Sequence, residues 1–264
     1  MLFSKTAFEG THILITGATG GIGAQTAKQA AECGASISIT GRNKEKLASL
    51  VEELSKRMNS AKLTAFPADI SQEDDRLQLI EHCERKLGAI TGLVNGAAIA
   101  EPMTLDELQE EKLTQIMNVN HTATVMLTQH VYQKMKQEQR GSIVNVASLS
   151  GLRGTYGGTA YASSKFALIG FTQSLALEAI QSNINVNAIC PGFVDTDMAH
   201  KIIERKAKEA RISYDEQLKK IEAGFPSGKI TSPDEVATTI LFLLSGAVRN
   251  IVGESIKISG GVVV

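Results

Sequence analysis

Short apolar segments alternate with helix-length ones from one end of this chain to the other, and that rhythm restricts the fold more than any single motif does. The strand candidates are His12–Thr16, Ser36–Thr40, Leu63–Phe66, Gly92–Asn95, Ser142–Ala147, Ile184–Ile189 and Ser255–Ile258. Several are near-continuous apolar runs, as strands covered on both faces require. The stretches between them carry helix-end signals. Thr104-Leu105-Asp106-Glu107, Ser213-Tyr214-Asp215-Glu216 and Ser232-Pro233-Asp234-Glu235 each have the Ser/Thr-x-x-Glu form of a capping box. The third also has Pro at the first helical position. Cys33-Gly34 reads as a helix end followed by a left-handed glycine. Right-handed crossovers place helices on both faces of such a chain, so the expectation is an α/β fold: a doubly wound, parallel, seven-stranded sheet. With no repeat, low-complexity tract or Pro/Ser linker, residues 1–264 are expected to form one domain.

One segment breaks the rhythm. A charged, helix-prone stretch with Lys201, Glu204, Arg205, Lys206, Lys208, Glu209 and Arg211 is followed by a second capped helix from Ser213. A solvated helical pair and a substrate lid at about 195–225 fit this pattern equally, the lid because it follows Pro191-Gly192.

The first strand runs directly into Thr16-Gly17-Ala18-Thr19-Gly20-Gly21-Ile22-Gly23, and a helix is expected to open near Ala24. Glycines permit a sharp turn and let a pyrophosphate approach backbone N–H groups at the helix N-terminus, which favours an anion. This strand–turn–helix context marks a Rossmann dinucleotide site, with Gly17, Thr19, Gly20, Gly21, Ile22 and Gly23 as candidate contacts. Gly23-Ala24-Gln25 lacks the Gly-Lys-Ser/Thr ending of an ATP or GTP loop. The second strand ends in Ile39-Thr40-Gly41-Arg42-Asn43, without the carboxylate that would accept hydrogen bonds from a ribose 2′-hydroxyl. Arg42 offers charge-assisted bonds to a 2′-phosphate, so NADP(H) is expected, with NAD(H) as the alternative.

Composition removes other classes of function. A formal net charge of −1 gives no electrostatic reason to expect nucleic acid or an anionic membrane as a partner. No segment approaches the roughly 18 apolar residues of a membrane span, and Met1–Gly10 lacks the apolar core of a signal peptide. Three cysteines without a CxxC pair suit a reducing compartment, so a cytoplasmic location is expected. The five histidines are scattered and no metal site is expected; Gly-x-Ser-x-Gly is absent.

Tyr161-Ala162-Ser163-Ser164-Lys165 places a phenol and an ammonium four residues apart at the start of an expected helix. At 1.5 Å rise per residue they lie about 6 Å apart on one face and reach a common site. A neighbouring ammonium is expected to lower the Tyr161 pKa and make it a proton donor to a carbonyl oxygen, or an acceptor in reverse.

These residues, in this order, resemble the short-chain dehydrogenase/reductase family, in particular its 3-oxoacyl-acyl-carrier-protein reductase-like branch. The family's T-G-x-x-x-G-x-G matches Thr16–Gly23, and its Asp after the third strand matches Asp69, next to Ile70. The helix Asn matches Asn120, and the catalytic Ser matches Ser148, thirteen residues before Tyr161. P-G-x-V-x-T appears as Pro191-Gly192-Phe193-Val194-Asp195-Thr196, and the closing G-G as Gly260-Gly261. The resemblance implies a catalytic set of Asn120, Ser148, Tyr161 and Lys165. Ser148 would steady the substrate oxygen, Lys165 would bind the nicotinamide ribose, and Asn120 would hold a relay water through its main chain. It also implies cofactor contacts from Arg42, Asn43, Asp69, Ile70, Asn95, Gly96, Ala97, Pro191, Gly192, Val194 and Thr196. The family's N-N-A-G is replaced by Asn95-Gly96-Ala97-Ala98, a change expected to crowd the cofactor and remove an interstrand side-chain hydrogen bond. Leu149, Arg153, Tyr156 and Phe193 are the candidate substrate contacts for a small carbonyl or alcohol compound. An NADP(H) sensor or scaffold without turnover and an NAD(H)-dependent hydroxy-acid or polyol dehydrogenase remain the alternatives. The resemblance further implies a homo-oligomer, tetramer or dimer, built on helices Thr122–Met135 and Ala162–Ile180 and on the C-terminal strand, although the apolar faces of these helices serve a core equally well.

Overall fold

In β1 (His12–Thr16), Ile13 and Ile15 point to one side of the sheet and Leu14 to the other, the period of two that an extended backbone imposes. The other strands are β2 (Ser36–Ile39), β3 (Leu63–Ala65), β4 (Gly92–Asn95), β5 (Gly141–Val146), β6 (Ile184–Pro191) and β7 (Ser255–Ile258). All seven pair in parallel in the order β3-β2-β1-β4-β5-β6-β7, the expected doubly wound sheet. The computed structural model describes residues 3–263; Met1, Leu2 and Val264, the ends of the expected 1–264 domain, lie outside these.

One face of the sheet buries Ile13, Ile15, Ile37, Ile39, Val144 and Ile189 under α1 (Gly21–Glu32), α2 (Lys44–Ser55) and α9 (Pro233–Leu244). The opposite face buries Leu14, Leu93, Ile143 and Val186 under α3 (Glu73–Leu87), α5 (Ala123–Gln137) and α6 (Thr159–Ala179). Cys33, Cys83 and Cys190 are all buried among these layers. Two further helices, α7 (Asp197–Ala210) and α8 (Tyr214–Glu222), occupy the segment expected as a lid.

Two expectations need correction. The Thr104 capping signal opens no helix. The Glu107 carboxylate accepts both the N–H (3.0 Å) and the hydroxyl (2.7 Å) of Thr104, but this closes only a turn, and α4 (Glu110–Met117) starts later. Met103, bridged to Gly158, holds the segment as a loop. By contrast, Ser213 and Ser232 form complete capping boxes. The first helix opens at Gly21 rather than near Ala24, because Gly20 is its N-cap and accepts the Ala24 N–H at 2.9 Å.

Candidate active site

Sheet order creates the site. β1 lies beside β2 and β4, so the connections leaving β1 and β4 diverge to opposite faces and open a crevice at their C-terminal ends. The Thr16 hydroxyl ties the two rims together: it accepts the Gly96 N–H (3.1 Å) and the Ala97 N–H (3.3 Å) and donates to the Val94 carbonyl (3.3 Å). Gly17 has φ +65°, and a Cβ there would lie 2.6 Å from the Gly96 carbonyl oxygen. A Cβ on Gly23 would lie 2.5 Å from the Gly17 oxygen. The glycine turn is therefore packed to backbone contact, with the first turn of α1 behind it.

The adenosine side is made by the ends of β2 and β3. The Thr40 hydroxyl is buried there without a hydrogen-bond partner, and Arg42 is exposed and in no ion pair among the described residues. The Asn43 side chain caps α2 by accepting the Lys46 N–H at 2.7 Å. Asp69 Oδ1 accepts from the Ser71 N–H and hydroxyl (3.0 and 2.7 Å), while the Ile70 carbonyl accepts from the Arg76 guanidinium (2.8 Å). A crevice of closely packed glycines, an unpartnered buried hydroxyl and an uncommitted guanidinium fits a phosphorylated dinucleotide.

At Asn95-Gly96-Ala97-Ala98, Gly96 has no side chain to supply the bond of the family's second Asn, as expected. The retained first Asn makes its own interstrand bond: Asn95 Nδ2 donates to Asn145 Oδ1 (2.8 Å) and to the Thr128 hydroxyl (2.9 Å). A Cβ on Gly96 would lie 2.8 Å from the Thr16 carbonyl oxygen, so glycine suits this packing. Ala98 is not among the residues with positive φ and imposes no strain.

The chemical groups converge beyond β5. Ser148 follows that strand, and its hydroxyl caps a short turn by accepting the Ser150 N–H at 3.1 Å. Tyr161 and Lys165 are one turn apart near the start of α6, with Lys165 Nζ 5.7 Å from the Tyr161 ring centroid. Lys165 is 2% exposed and donates to the Val146 carbonyl at 2.8 Å, so its ammonium is held at the end of β5. Burial pulls its pKa down from 10.5 to about 8. Burial also raises the Tyr161 pKa above its ordinary value, and a hydrogen bond with the Ser148 side chain pulls it partly back. This corrects the expected lowering by Lys165. Desolvation of the phenolate is the largest influence on this group.

Asn120 lies in a π turn (Asn118–Thr122) between α4 and α5. Its side chain exchanges both bonds with the Ile99 backbone, accepting the N–H (2.8 Å) and donating to the carbonyl (2.9 Å). It also donates to the Ser164 hydroxyl (3.0 Å), which donates to the Tyr161 carbonyl (2.7 Å). Asn120 thus braces the turn of α6 that carries Tyr161.

Sequence reasoning overlooked a second buried chain, in which Asn145 Nδ2 donates to the Thr172 hydroxyl (2.8 Å) and links β4, β5 and α6. An Asn inside the apolar run Ile143–Val146 was the available signal. Among the substrate candidates, Leu149 is 6% exposed and packs with Leu168, Ile169 and Cys190 beneath the site. Phe193 and Val194 are held by Thr231, which donates to the Phe193 carbonyl and forms a bridge with Val194. Pro191 and Gly192 lie at the end of β6, where the Gly192 N–H donates to the Ile258 carbonyl, and the Thr196 hydroxyl donates to the Val194 carbonyl. Arg153 is exposed, and Tyr156, at 96% exposure, projects into solvent rather than into the site. In the segment expected as a lid, His200 bonds through Nδ1 to the Tyr214 hydroxyl and through Nε2 to Asp195 (3.1 Å), joining α8, α7 and the loop after β6. Among the described residues no His/Cys/Asp/Glu group could hold a metal, and no helix is long and apolar enough to cross a membrane.

A family model described as short chain dehydrogenase matches residues 11–207. The chain belongs to that family. This short-chain dehydrogenase is 37% identical to the 3-oxoacyl-acyl-carrier-protein reductase FabG of Thermotoga maritima, over 97% of this chain and 99% of the relative. It is 34% identical to the Aquifex aeolicus reductase of the same name, over 96% and 97%. A variant of actinorhodin polyketide ketoreductase solved with NADPH superposes with a TM-score of 0.91 at 28% identity, covering 98% of this chain and 99% of that one.

Proposed function

We propose that this short-chain dehydrogenase is an NADP(H)-dependent oxidoreductase that reduces a carbonyl to a secondary alcohol, and reverses the reaction when product is in excess. The observation that carries the reading is the convergence of Ser148, Tyr161 and Lys165 at the end of β5, on the same sheet edge as the glycine turn after β1. The FabG relatives and the NADPH-bound ketoreductase support both the reaction class and the cofactor.

Gly17, Thr19, Gly20, Gly21, Ile22 and Gly23 would receive the pyrophosphate on their backbone and on the N-terminus of α1. Arg42 and Asn43 would meet the 2′-phosphate, and Asp69, Ile70, Asn95, Gly96 and Ala97 would line the adenosine half. Pro191, Gly192, Val194 and Thr196 would orient the nicotinamide end. The cofactor supplies the hydride. The chain's part is to steady the substrate oxygen and deliver its proton. The Ser148 hydroxyl donates a hydrogen bond to the carbonyl oxygen, where negative charge develops. A phenol carries its proton at neutral pH, and burial moves Tyr161 further in that direction, so it is the proton donor. Lys165, held by Val146, presents positive charge near the phenol and stabilises the tyrosinate left by that transfer. The Asn120 and Ser164 bonds fix the backbone of Tyr161 while this happens. Phe193, with the α7–α8 lid, would bound a small-molecule substrate pocket, and Arg153 and Tyr156 would reach it only if their loop closed.

The test is NADPH oxidation with a ketone panel that includes 3-oxoacyl thioesters. Tyr161→Phe should lower kcat by about 10²–10⁴-fold while NADPH still binds, and turnover surviving that substitution overturns the mechanism. NADPH binding without turnover of any compound would instead favour a sensor.

The exposed face of α6, with Phe166 at 47% and Leu177 at 72% exposure, supports self-association through α5 and α6 into a dimer or tetramer.

A further inference from the structure

An ion pair links the two segments that flank the phosphate-binding turn. Lys46, in the first turn of α2, bonds through Nζ to Oδ2 of Asp197 at 2.9 Å, and Asp197 is the first residue of α7. The two residues are separated by 151 positions in sequence. The glycine turn packs against the segment next to each of them. On the α2 side, a Cβ on Gly41 would meet the Thr19 side chain at 2.9 Å; on the α7 side, a Cβ on Gly21 would meet Thr196 Cγ2 at 2.7 Å. The bridge therefore joins the adenosine edge of the crevice to the start of α7, the two segments that flank Thr19–Gly21.

Charges at the adenosine edge are uneven. Arg42 is in no ion pair among the described residues, and the buried Thr40 hydroxyl two positions earlier has no partner. Glu45 is the acid of the same helical turn, yet it makes no ion pair among the described residues, and the carboxylate that engages Lys46 comes from the start of α7. Both partners remain largely exposed, at 57% and 77% of their side-chain surface, so the pair is a weak one that a stronger anion can displace.

We propose that Lys46 is a second cation for the cofactor 2′-phosphate, and that Asp197 is the internal anion which holds it until the phosphate arrives. The assignment rests on the NADP(H) reading above and adds a specificity device to it. Binding of a 2′-phosphorylated dinucleotide draws Lys46 toward Arg42 and releases the first turn of α7, whereas a dinucleotide with a free 2′-hydroxyl leaves the bridge in place. Asp197 thereby sets the preference from a distance, by taxing every gain that Lys46 offers the phosphate.

Direct binding of NADPH and NADH, followed by nicotinamide fluorescence and by calorimetry, tests this in wild type, Lys46→Met, Asp197→Asn and the double variant. Lys46→Met should weaken NADPH by about tenfold and leave NADH unchanged. Asp197→Asn should tighten NADPH by about threefold, and that gain should vanish in the double variant. Raising salt should shrink both effects. Equal changes for the two dinucleotides, or a gain from Asp197→Asn that persists without Lys46, would overturn the proposal. Wild-type preference for NADH would overturn the cofactor reading as well. A preference for NADPH that Lys46→Met leaves intact overturns only the role of Lys46.

Discussion

At the residue scale, Lys165 shows function opposing stability. Holding its ammonium 2% exposed, with the Val146 carbonyl as its hydrogen-bond partner, lowers its pKa to about 8. At about 1.4 kcal/mol per pKa unit, that corresponds to a destabilisation of roughly 3 kcal/mol at neutral pH. Lys165→Met should therefore abolish turnover and still raise stability by about 1–2 kcal/mol, after the loss of the hydrogen bond to Val146 is subtracted. The sign of the pH effect follows from proton counting. Between about pH 8 and 10.5 the unfolded chain keeps a proton on this amine that the folded protein has released, so the Lys165 contribution to stability improves as pH rises through that window. Denaturant titrations of wild type and Lys165→Met across that range measure the difference; a gap that stays constant with pH would contradict it. Tyr161 and Lys165 were legible in the sequence as a pair. The direction of the Tyr161 shift was not, because spacing reports proximity and says nothing of how completely the ring is desolvated.

At the element scale, local chemistry decided which capping signals held. Ser232 accepts the Glu235 N–H (3.2 Å), and Glu235 accepts the Ser232 N–H (2.8 Å), so α9 begins where its sequence says it should. Thr104 makes only half of this pattern, since the Glu107 N–H donates to the Thr104 carbonyl instead of its hydroxyl, and the bridge between Met103 and Gly158 keeps its backbone out of a helix. A four-residue motif states what a backbone would accept; a long-range pairing can still overrule it. Ser232→Ala removes the cap and should cost about 1 kcal/mol, with Glu235→Gln costing less; thermal melts would show a midpoint about 2–4 °C lower for the alanine variant. The π turn at Asn118–Thr122 was illegible, since no residue there is a helix breaker. It arises from the buried bonds of Asn120 to Ile99 and Ser164, which only the tertiary fold brings together.

At the scale of the whole molecule, strand–helix alternation was sufficient to anticipate seven parallel strands and helices on both faces. Assembly is the part that one chain's sequence leaves ambiguous, because an apolar helix face serves a core and an interface equally well. In α6, Leu168, Thr172, Leu175 and Ala176 are buried, while Phe166 and Leu177 remain outside. On the proposed association through α6, Leu177→Glu should lower the mass seen in sedimentation or light scattering to that of a monomer, with secondary structure unchanged by circular dichroism; a mass equal to that of wild type would overturn that interface.

The hydroxyl of Thr16 reaches two amides 80 and 81 positions further along the chain. That bond has a consequence for the order of events during synthesis. A nascent chain that ends before β4 already possesses every glycine of the phosphate turn but only one wall of the crevice. Dinucleotide affinity must therefore arrive late, when the fourth strand slots in next to the first and the middle of the sheet is complete.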